Sequence, residues 1–146
     1  MPERDLHDHP FEGGTFTKLK IFESYMEAWL PVFAMTGYKE LYIFDFFAGP
    51  GYDLSRVPGS PIRFLEKIYS FFSILLKKQV TVHLCLNELK YGKYVLLEQN
   101  CKDFISSHTG LEKIVKISYF NVDFDTLFLQ KLPEIRKYPS LVYLDQ

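Results

Sequence analysis

The chain has 146 residues and a net charge of -1, with 47% hydrophobic and 17% aromatic side chains. This composition excludes a disordered chain and is sufficient for one domain with a substantial core. The balance of 17 basic against 18 acidic residues, without a dense basic block, excludes a strong nonspecific nucleic-acid binder and a polybasic membrane anchor.

Residues 1–14 are predicted to form a flexible tail, and residues 15–146 a single domain. The tail is polar and lacks the apolar segment of a signal peptide, and no apolar run approaches membrane-spanning length. We therefore expect a cytoplasmic protein without a membrane partner. Cys85 and Cys101 lie in apolar segments without CxxC spacing, which favours buried reduced thiols. No metal site is predicted.

Apolar residues at helical spacing predict a first helix that begins at Thr17 and ends at Gly37. Pro31 should kink or split this helix, because proline removes a backbone donor and crowds the preceding turn. Residues 40–49, "ELYIFDFFAG", are rich in branched and aromatic side chains and stop at glycine. That pattern is typical of a strand buried on both faces.

Helices and strands then alternate to the end of the chain. They are predicted as a helix at 61–77, a strand at 80–88, a helix at 89–105, a strand at 113–123, a helix at 124–137 interrupted by Pro133, and a strand at 140–146. Strands joined by helical crossovers are parallel, so the predicted fold class is α/β. His83, inside the second strand, is interpreted as a satisfied core histidine without a carboxylate partner.

A carboxylate lies at the end of each predicted strand: Asp45, Glu88, Asp123 and Asp145. Ligands of such sheets bind beyond the carboxyl ends of the strands. Because unpaired carboxylates are costly there, the four residues predict backbone, water or ligand partners at one edge of the sheet. The alternative is that acidic residues cap the following helices, which would account for Asp123 or Asp125 alone.

The loop after the first strand contains Gly49 and Gly51, as a dinucleotide-binding loop would. Such a loop needs G-x-G-x-x-G directly at a helix N-terminus, so that the pyrophosphate meets the helix amides. Here Leu54 occupies the third glycine position and the helix is delayed to about Pro61. The pattern therefore argues against a phosphate cradle. The intervening residues, which include Tyr52, either close over a ligand or form a mobile surface loop.

"DFFAGPG", with its acidic residue three positions before G-x-G, resembles motif I of the class I S-adenosylmethionine-dependent methyltransferases. In that family the glycine loop lies under the methionine and ribose of the cofactor. The resemblance implies that the first carboxylate holds the methionyl ammonium, the second accepts the ribose hydroxyls and the third receives the adenine amino group. It assigns cofactor binding to these residues: Asp45, Phe47, Ala48, Gly49, Pro50, Gly51, Asn87, Glu88, Val122 and Asp123.

A narrower resemblance rests on "TKLKIFESYMEAWLPVF", "DFFAGPG" with its trailing "GSPIRFLE", "LNE" and "LVYLDQ". Together these segments resemble the three-Cys-motif partner family of bacterial proteins. Its members are methyltransferase-like in fold, and the family name records an association with a separate protein that bears a three-cysteine motif. The resemblance implies that partner and a three-layer, Rossmann-like methyltransferase sheet, mostly parallel, with strand order 3-2-1-4.

Two features depart from the methyltransferase pattern. Asp145 and Gln146 stand where the family has an Asp-Pro-aromatic-Gly sequence, and about four of the seven usual strands are readable. We therefore expect an incomplete chain whose fourth strand is an exposed edge open to self-pairing. By its place in the resemblance, Asp145 is the candidate catalytic residue, which would contact the acceptor or accept its proton.

Two functions remain open from the sequence. The first is an S-adenosylmethionine-dependent methyltransferase, with which a nucleic-acid acceptor is compatible although no basic motif requires one. The second is a non-catalytic, methyltransferase-like scaffold that binds a three-cysteine-motif protein. Aromatic residues favour this second function, because tyrosine and phenylalanine are effective interface anchors.

Overall fold

A computed structural model describes residues 13–145 of the chain. The helices and strands follow in this order: α1 Gly13–Met35, β1 Glu40–Asp45, α2 Ser60–Ser70, α3 Phe72–Lys77, β2 Thr81–Asn87, α4 Tyr91–Ser107, a 3-10 turn at Leu111–Lys113, β3 Val115–Phe120, α5 Phe124–Lys137 and β4 Ser140–Tyr143. The predicted tail lies outside the described residues, except that its last two residues begin α1.

The four strands form one parallel sheet in the order β3-β2-β1-β4. Phe44 of β1 aligns with Cys85 of β2 on one side and with Val142 of β4 on the other. On the far side of β2, Leu84 aligns with Ile117 of β3. This arrangement confirms the predicted α/β class, the parallel pairing and the strand order, and it has a Rossmann-like layout.

The sheet is covered on both faces, which gives three layers. Alternate strand residues such as Leu41 and Ile43 pack into a large core with α1, α2, α3 and α4. On the other face, Phe44 of β1 and Phe46, just after this strand, pack against Leu127 of α5 in a second, smaller core. Side chains alternate between the two faces of a strand, so both faces of β1 are apolar as its continuous hydrophobic sequence predicted.

Proline splits neither long helix, although the sequence predicted an interruption at Pro133 and a kink or a split at Pro31. Pro31 lies inside α1, which is continuous, and Pro133 lies inside a continuous α5. Leu30 and Ala34, on either side of Pro31, are buried against the sheet. The packing of this face stabilises the helix enough to offset one missing backbone hydrogen bond.

The predicted helix at 61–77 is two helices that meet at Phe71. The hydroxyl of Ser70 donates a hydrogen bond to the carbonyl of Lys67, at 2.6 Å, in the last turn of α2. Such local side-chain bonds compete with the helical backbone pattern and bend helices. The break is thus accompanied by a local side-chain bond that apolar spacing does not register.

Burial differs from the prediction at the edge of the sheet. β3 is an edge strand, and its residues Lys116 and Ser118 are exposed, so this strand is not buried on both faces.

Cys85 and Cys101 are both free and buried, as predicted. In the part of the chain that the structure describes, no helix has the length and apolar character needed to cross a membrane.

Candidate functional site

The carboxyl ends of the parallel strands bring three acidic side chains to one edge of the sheet. Asp45 is the last residue of β1, Glu88 follows β2, and Asp145 follows β4. Both Asp45 and Glu88 are buried, and Asp145 is 14% exposed. The charges of Asp145 and Glu88 both raise the pKa of Asp45, so the three carboxylates share one electrostatic environment.

Asp45 is 1% exposed, and its neighbours hold it in place. Its carboxylate accepts hydrogen bonds from the Ser60 hydroxyl, at the start of α2, and from the backbone N–H of Phe47. Burial is the largest influence and raises the pKa of Asp45 to about 7, although these two hydrogen bonds act in the opposite direction. Asp45 therefore changes its charge near neutral pH.

The glycine loop, residues 46–51, is tied to the neighbouring strand and to α4. The Ala48 N–H donates to the Asn87 carbonyl at 2.8 Å, and the Gly49 N–H donates to Oε1 of Glu88 at 3.1 Å. The carbonyl of Pro50 accepts from Nδ2 of Asn100 at 2.7 Å. These bonds fix the predicted cofactor loop beside the end of β2.

Both glycines of the loop have left-handed backbone, with φ of +72° at Gly49 and +100° at Gly51. A Cβ added at Gly51 would lie 3.2 Å from Cβ of Asn100 and 3.6 Å from Cγ1 of Ile62. Gly51 is thus required by its conformation and by close packing against α4 and α2. Sequence reasoning attributed this glycine to the ligand, whereas the contact shown here is with the protein itself.

Glu88 joins two backbone segments and retains capacity for a ligand. Its Oε2 accepts the Lys90 N–H at 2.8 Å, while Oε1 accepts from Gly49. A carboxylate has about four acceptor positions, so each oxygen can receive a further donor. Ligand hydroxyl groups are suitable donors for these positions.

The side chain of Asn87 connects the ends of three segments. Its Nδ2 donates to the carbonyls of Phe46, at 3.2 Å, and Val122, at 2.9 Å, and its Oδ1 accepts the Val122 N–H at 3.2 Å. Asn121 adds bonds from its Nδ2 to the carbonyls of Glu88, at 2.7 Å, and Leu89, at 2.9 Å. Asn87 and Asn121 therefore position the loops at the strand ends.

Asp123 caps α5, which is the alternative that the sequence left open. It is exposed, and its carboxylate accepts the Thr126 N–H at 2.9 Å and the Thr126 hydroxyl at 2.8 Å. The backbone hydrogen bond from Thr126, followed by that from its side chain, lowers the pKa of Asp123. Beside it Val122 is exposed, and Phe47 stacks on Phe124 with ring centroids 5.5 Å apart.

Residues 52–59 form a compact turn. Tyr52 and Pro58 make an antiparallel bridge, and the Gly59 N–H donates to the Gly51 carbonyl at 2.7 Å. Inside the turn, Oδ1 of the buried Asp53 accepts the N–H groups of Ser55, at 2.8 Å, and Val57, at 2.9 Å. The guanidinium of Arg56 lies 4.2 Å from the centre of the Tyr52 ring.

Two residues of this region were missed from the sequence. Asp53 had a local signal, because aspartate commonly bonds to backbone N–H groups shortly after it in turns. Asn100 had none, since its partner Pro50 is 50 positions away. His83 is a further correction, because its Nε2 pairs with Oε2 of Glu40.

Asp145 lies at the side of the site nearest α1. Its Oδ1 is 3.2 Å from Nζ of Lys18 in α1, and its Oδ2 accepts the hydroxyl of Tyr143 at 3.2 Å. The ring of Tyr143 contacts Phe22 of α1 and Phe64 of α2, with centroids 4.8 and 5.3 Å away. Aromatic packing thus fixes the end of β4 beside Asp145.

The electrostatics of this edge favour a cationic ligand over an anion. An anion at the start of α2 would face the carboxylate of Asp45, which already accepts a hydrogen bond from Ser60 there. It would also meet the carboxylate of Glu88, which is hydrogen-bonded to the glycine loop. Among residues 13–145, no group of three or more histidine, cysteine or acidic residues is arranged to hold a metal ion.

Compared with protein-family models, curated proteins and solved structures, this chain has no match.

Proposed function

We propose that the carboxyl edge of the sheet binds S-adenosylmethionine and that the chain is the cofactor-binding part of a methyltransferase resembling the three-Cys-motif partner proteins. The observation that carries this proposal is that Asp45, Glu88 and Asp145 lie at the carboxyl ends of neighbouring parallel strands, beside a glycine loop in left-handed conformation. The strand order and the parallel sheet support it, because Rossmann-like sheets bind ligands at this edge.

The residues present fit the charge of the proposed ligand. S-adenosylmethionine carries a cationic sulfonium and an ammonium group, and when bound it would supply an activated methyl group. Burial raises the pKa of Asp45, and the charges of Asp145 and Glu88 add smaller contributions in the same direction. A nearby positive charge favours ionisation of Asp45 and reduces the repulsion among the three groups.

The chain's own groups divide the binding task. Asp45, held by Ser60 at the start of α2, would receive the methionyl ammonium. Glu88 would accept the ribose hydroxyls while its bond to Gly49 keeps the loop in place. Asn87 would act through the loops, because its side-chain groups bond to the backbone of Phe46 and Val122.

The two remaining positions of the proposed site are less buried. Val122 would offer an exposed apolar side chain to the adenine ring. Asp123 would reach the adenine amino group only with oxygens that also cap α5. Asp145 would contact the methyl acceptor or take its proton, since it is held by Tyr143 and Lys18 at the end of β4.

A ligand panel tests the proposal against the dinucleotide alternative. Equilibrium dialysis of the chain with S-adenosylmethionine, NAD⁺ and ATP should show retention of S-adenosylmethionine alone. The phosphate groups of NAD⁺ and ATP would face Asp45 and Glu88, which disfavours both ligands. Retention of NAD⁺ with no retention of S-adenosylmethionine would overturn the proposal.

A scaffold function has one observation in its favour. Leu89, Tyr91, Val95 and Leu96 are exposed at the start of α4 and along it. Exposed apolar residues close together are typical of protein interfaces. As the alternative to cofactor binding, we propose that these residues form the surface that binds a three-cysteine-motif partner.

Co-purification separates the two functions. A three-cysteine-motif protein bound at this α4 surface should be retained by Gly49→Val and lost with Leu96→Asp. Leu129→Asp, the same change at an exposed leucine of α5, is the matched control and should retain the partner. Loss with Gly49→Val and retention by Leu96→Asp would exclude this surface.

A further inference from the structure

A groove of about 390 Å³ lies between α1 and the end of β4. Its walls include Ile21, Phe22 and Tyr25 of α1 and the segment 142–145, which ends at Asp145. Small-molecule sites are concave, mostly apolar pockets of roughly 300 to 1,000 Å³ with a few polar groups. The groove meets this description, and the charged side chains in its lining, Asp145 and Lys18, lie together.

The acidic end of the groove acts electrostatically on the proposed cofactor site. Asp145 raises the pKa of Asp45, and both carboxylates raise the pKa of Tyr143, after burial as the main cause. The Tyr143 hydroxyl therefore remains protonated and donates to Oδ2 of Asp145, at 3.2 Å. The carboxylate is thus fixed in direction at the end of the groove.

Lys18 shows what kind of group this carboxylate accepts. Its ammonium lies 3.2 Å from Oδ1 of Asp145, while the Lys18 side chain is 67% exposed. Exposed ion pairs contribute little to stability because solvent screens them and the long side chain loses freedom. A ligand ammonium held by the apolar walls can therefore replace that of Lys18.

We propose that the groove binds a primary amine with an apolar body, whose ammonium replaces the Lys18 ammonium at Asp145. An anionic ligand is disfavoured because Asp145, Asp45 and Glu88 are all acidic. A neutral isostere would gain the apolar contacts but not the charged hydrogen bond, which is the stronger polar interaction.

The role of this amine as methyl acceptor rests on the proposed function, whereas its binding does not. For transfer, the ammonium gives its proton to the Asp145 carboxylate. The nitrogen lone pair would then be free to take the methyl group that bound S-adenosylmethionine would supply, with the electron pair of the carbon–sulfur bond remaining on the departing sulfur. Asp145 thus both selects the amine and prepares its nitrogen.

Amide chemical-shift titration tests the binding in the absence of any cofactor. The probes are 2-phenylethylamine and its neutral isostere 2-phenylethanol. The amine should saturate with shifts at α1 and β4, and the alcohol should bind at least tenfold more weakly. Equal affinity for the two probes, or shifts confined to other elements, would overturn the proposal.

Two variants identify the groups responsible. Asp145→Asn should reduce the amine affinity to that of the alcohol, while Asp103→Asn, an exposed change on α4, should leave it unchanged. Lys18→Met should raise the amine affinity several-fold, because the competing ammonium is gone, and Lys20→Met is its control on α1. Weaker amine binding by Lys18→Met would contradict the proposal even if Asp145→Asn failed to fold.

The titration distinguishes failure of the groove from failure of the proposed function. Amine binding without S-adenosylmethionine binding would leave the groove assignment standing and remove the methyltransferase. S-adenosylmethionine binding without amine binding would exclude the groove assignment and leave the proposed cofactor binding standing.

Discussion

Gly51 and Gly92 differ in whether the backbone conformation and the surrounding space require a glycine. Gly51 has φ of +100° and little room for a Cβ beside Asn100, whereas Gly92 lies in α4 with nothing within 4 Å of an added Cβ. Gly51→Ala should therefore lower the free energy of unfolding by about 1 to 3 kcal/mol. Gly92→Ala should raise it by about 0.5 to 1 kcal/mol, because alanine favours a helix.

Urea unfolding of the two variants at one pH checks this pair. If Gly51→Ala were as stable as the unsubstituted chain, the loop would not have the left-handed conformation described for it. Its packing against α4, through Asn100 and the Pro50 carbonyl, would then be in doubt as well.

Asp45 should make stability depend on pH. Its pKa is about 7 in the folded chain and 3.8 ordinarily, so between these values the folded chain keeps a proton that the unfolded chain has lost. Stability should therefore fall as pH rises from about 4 to 7, by at most about 1.4 kcal/mol per pH unit, and level off above. Asp45→Asn should remove this contribution.

The measurement is the difference in free energy of unfolding between the unsubstituted chain and Asp45→Asn, at pH 5 and at pH 8. Asp103→Asn, an exposed change on α4, is the control for general effects of charge. A difference that stays constant between the two pH values would mean that Asp45 ionises normally.

At the scale of elements, the N-terminus of α5 depends on one side chain. Asp123 accepts both the N–H and the hydroxyl of Thr126. Asp123→Ala should lower the urea midpoint, whereas Asp123→Asn should keep most of the stability, because asparagine caps helices about as well. Equal loss with both substitutions would show that the charge, not the cap, is what stabilises this end.

The elements themselves were largely predictable. Continuous apolar runs predicted β1 and β2, since strands buried on both faces need no alternation. The predicted interruption at Pro133 and the predicted split at Pro31 are absent, because packing of a helix against the core is not visible in local sequence. The break at Phe71 was missed because the hydrogen bond of the Ser70 side chain does not alter the spacing of apolar residues.

At the scale of the whole molecule, the alternation of strands and helices predicted the parallel sheet. It placed Asp45 and Glu88 together, because parallel strands end at the same edge. It did not predict the groove, whose Lys18 and Asp145 are 127 positions apart. Contacts of that separation depend on how α1 packs beside β4, which local patterns do not specify.

Calorimetric titration with S-adenosylmethionine at pH 8 tests whether the strand-end carboxylates bind this cofactor, as proposed. The unsubstituted chain and Glu98→Gln, a matched change on α4, should give the same saturable heat. Glu88→Gln should bind at least tenfold more weakly, because a charged hydrogen bond contributes about 1.5 to 3 kcal/mol. No heat with any of the three proteins, or equal affinity with Glu88→Gln, would contradict the account.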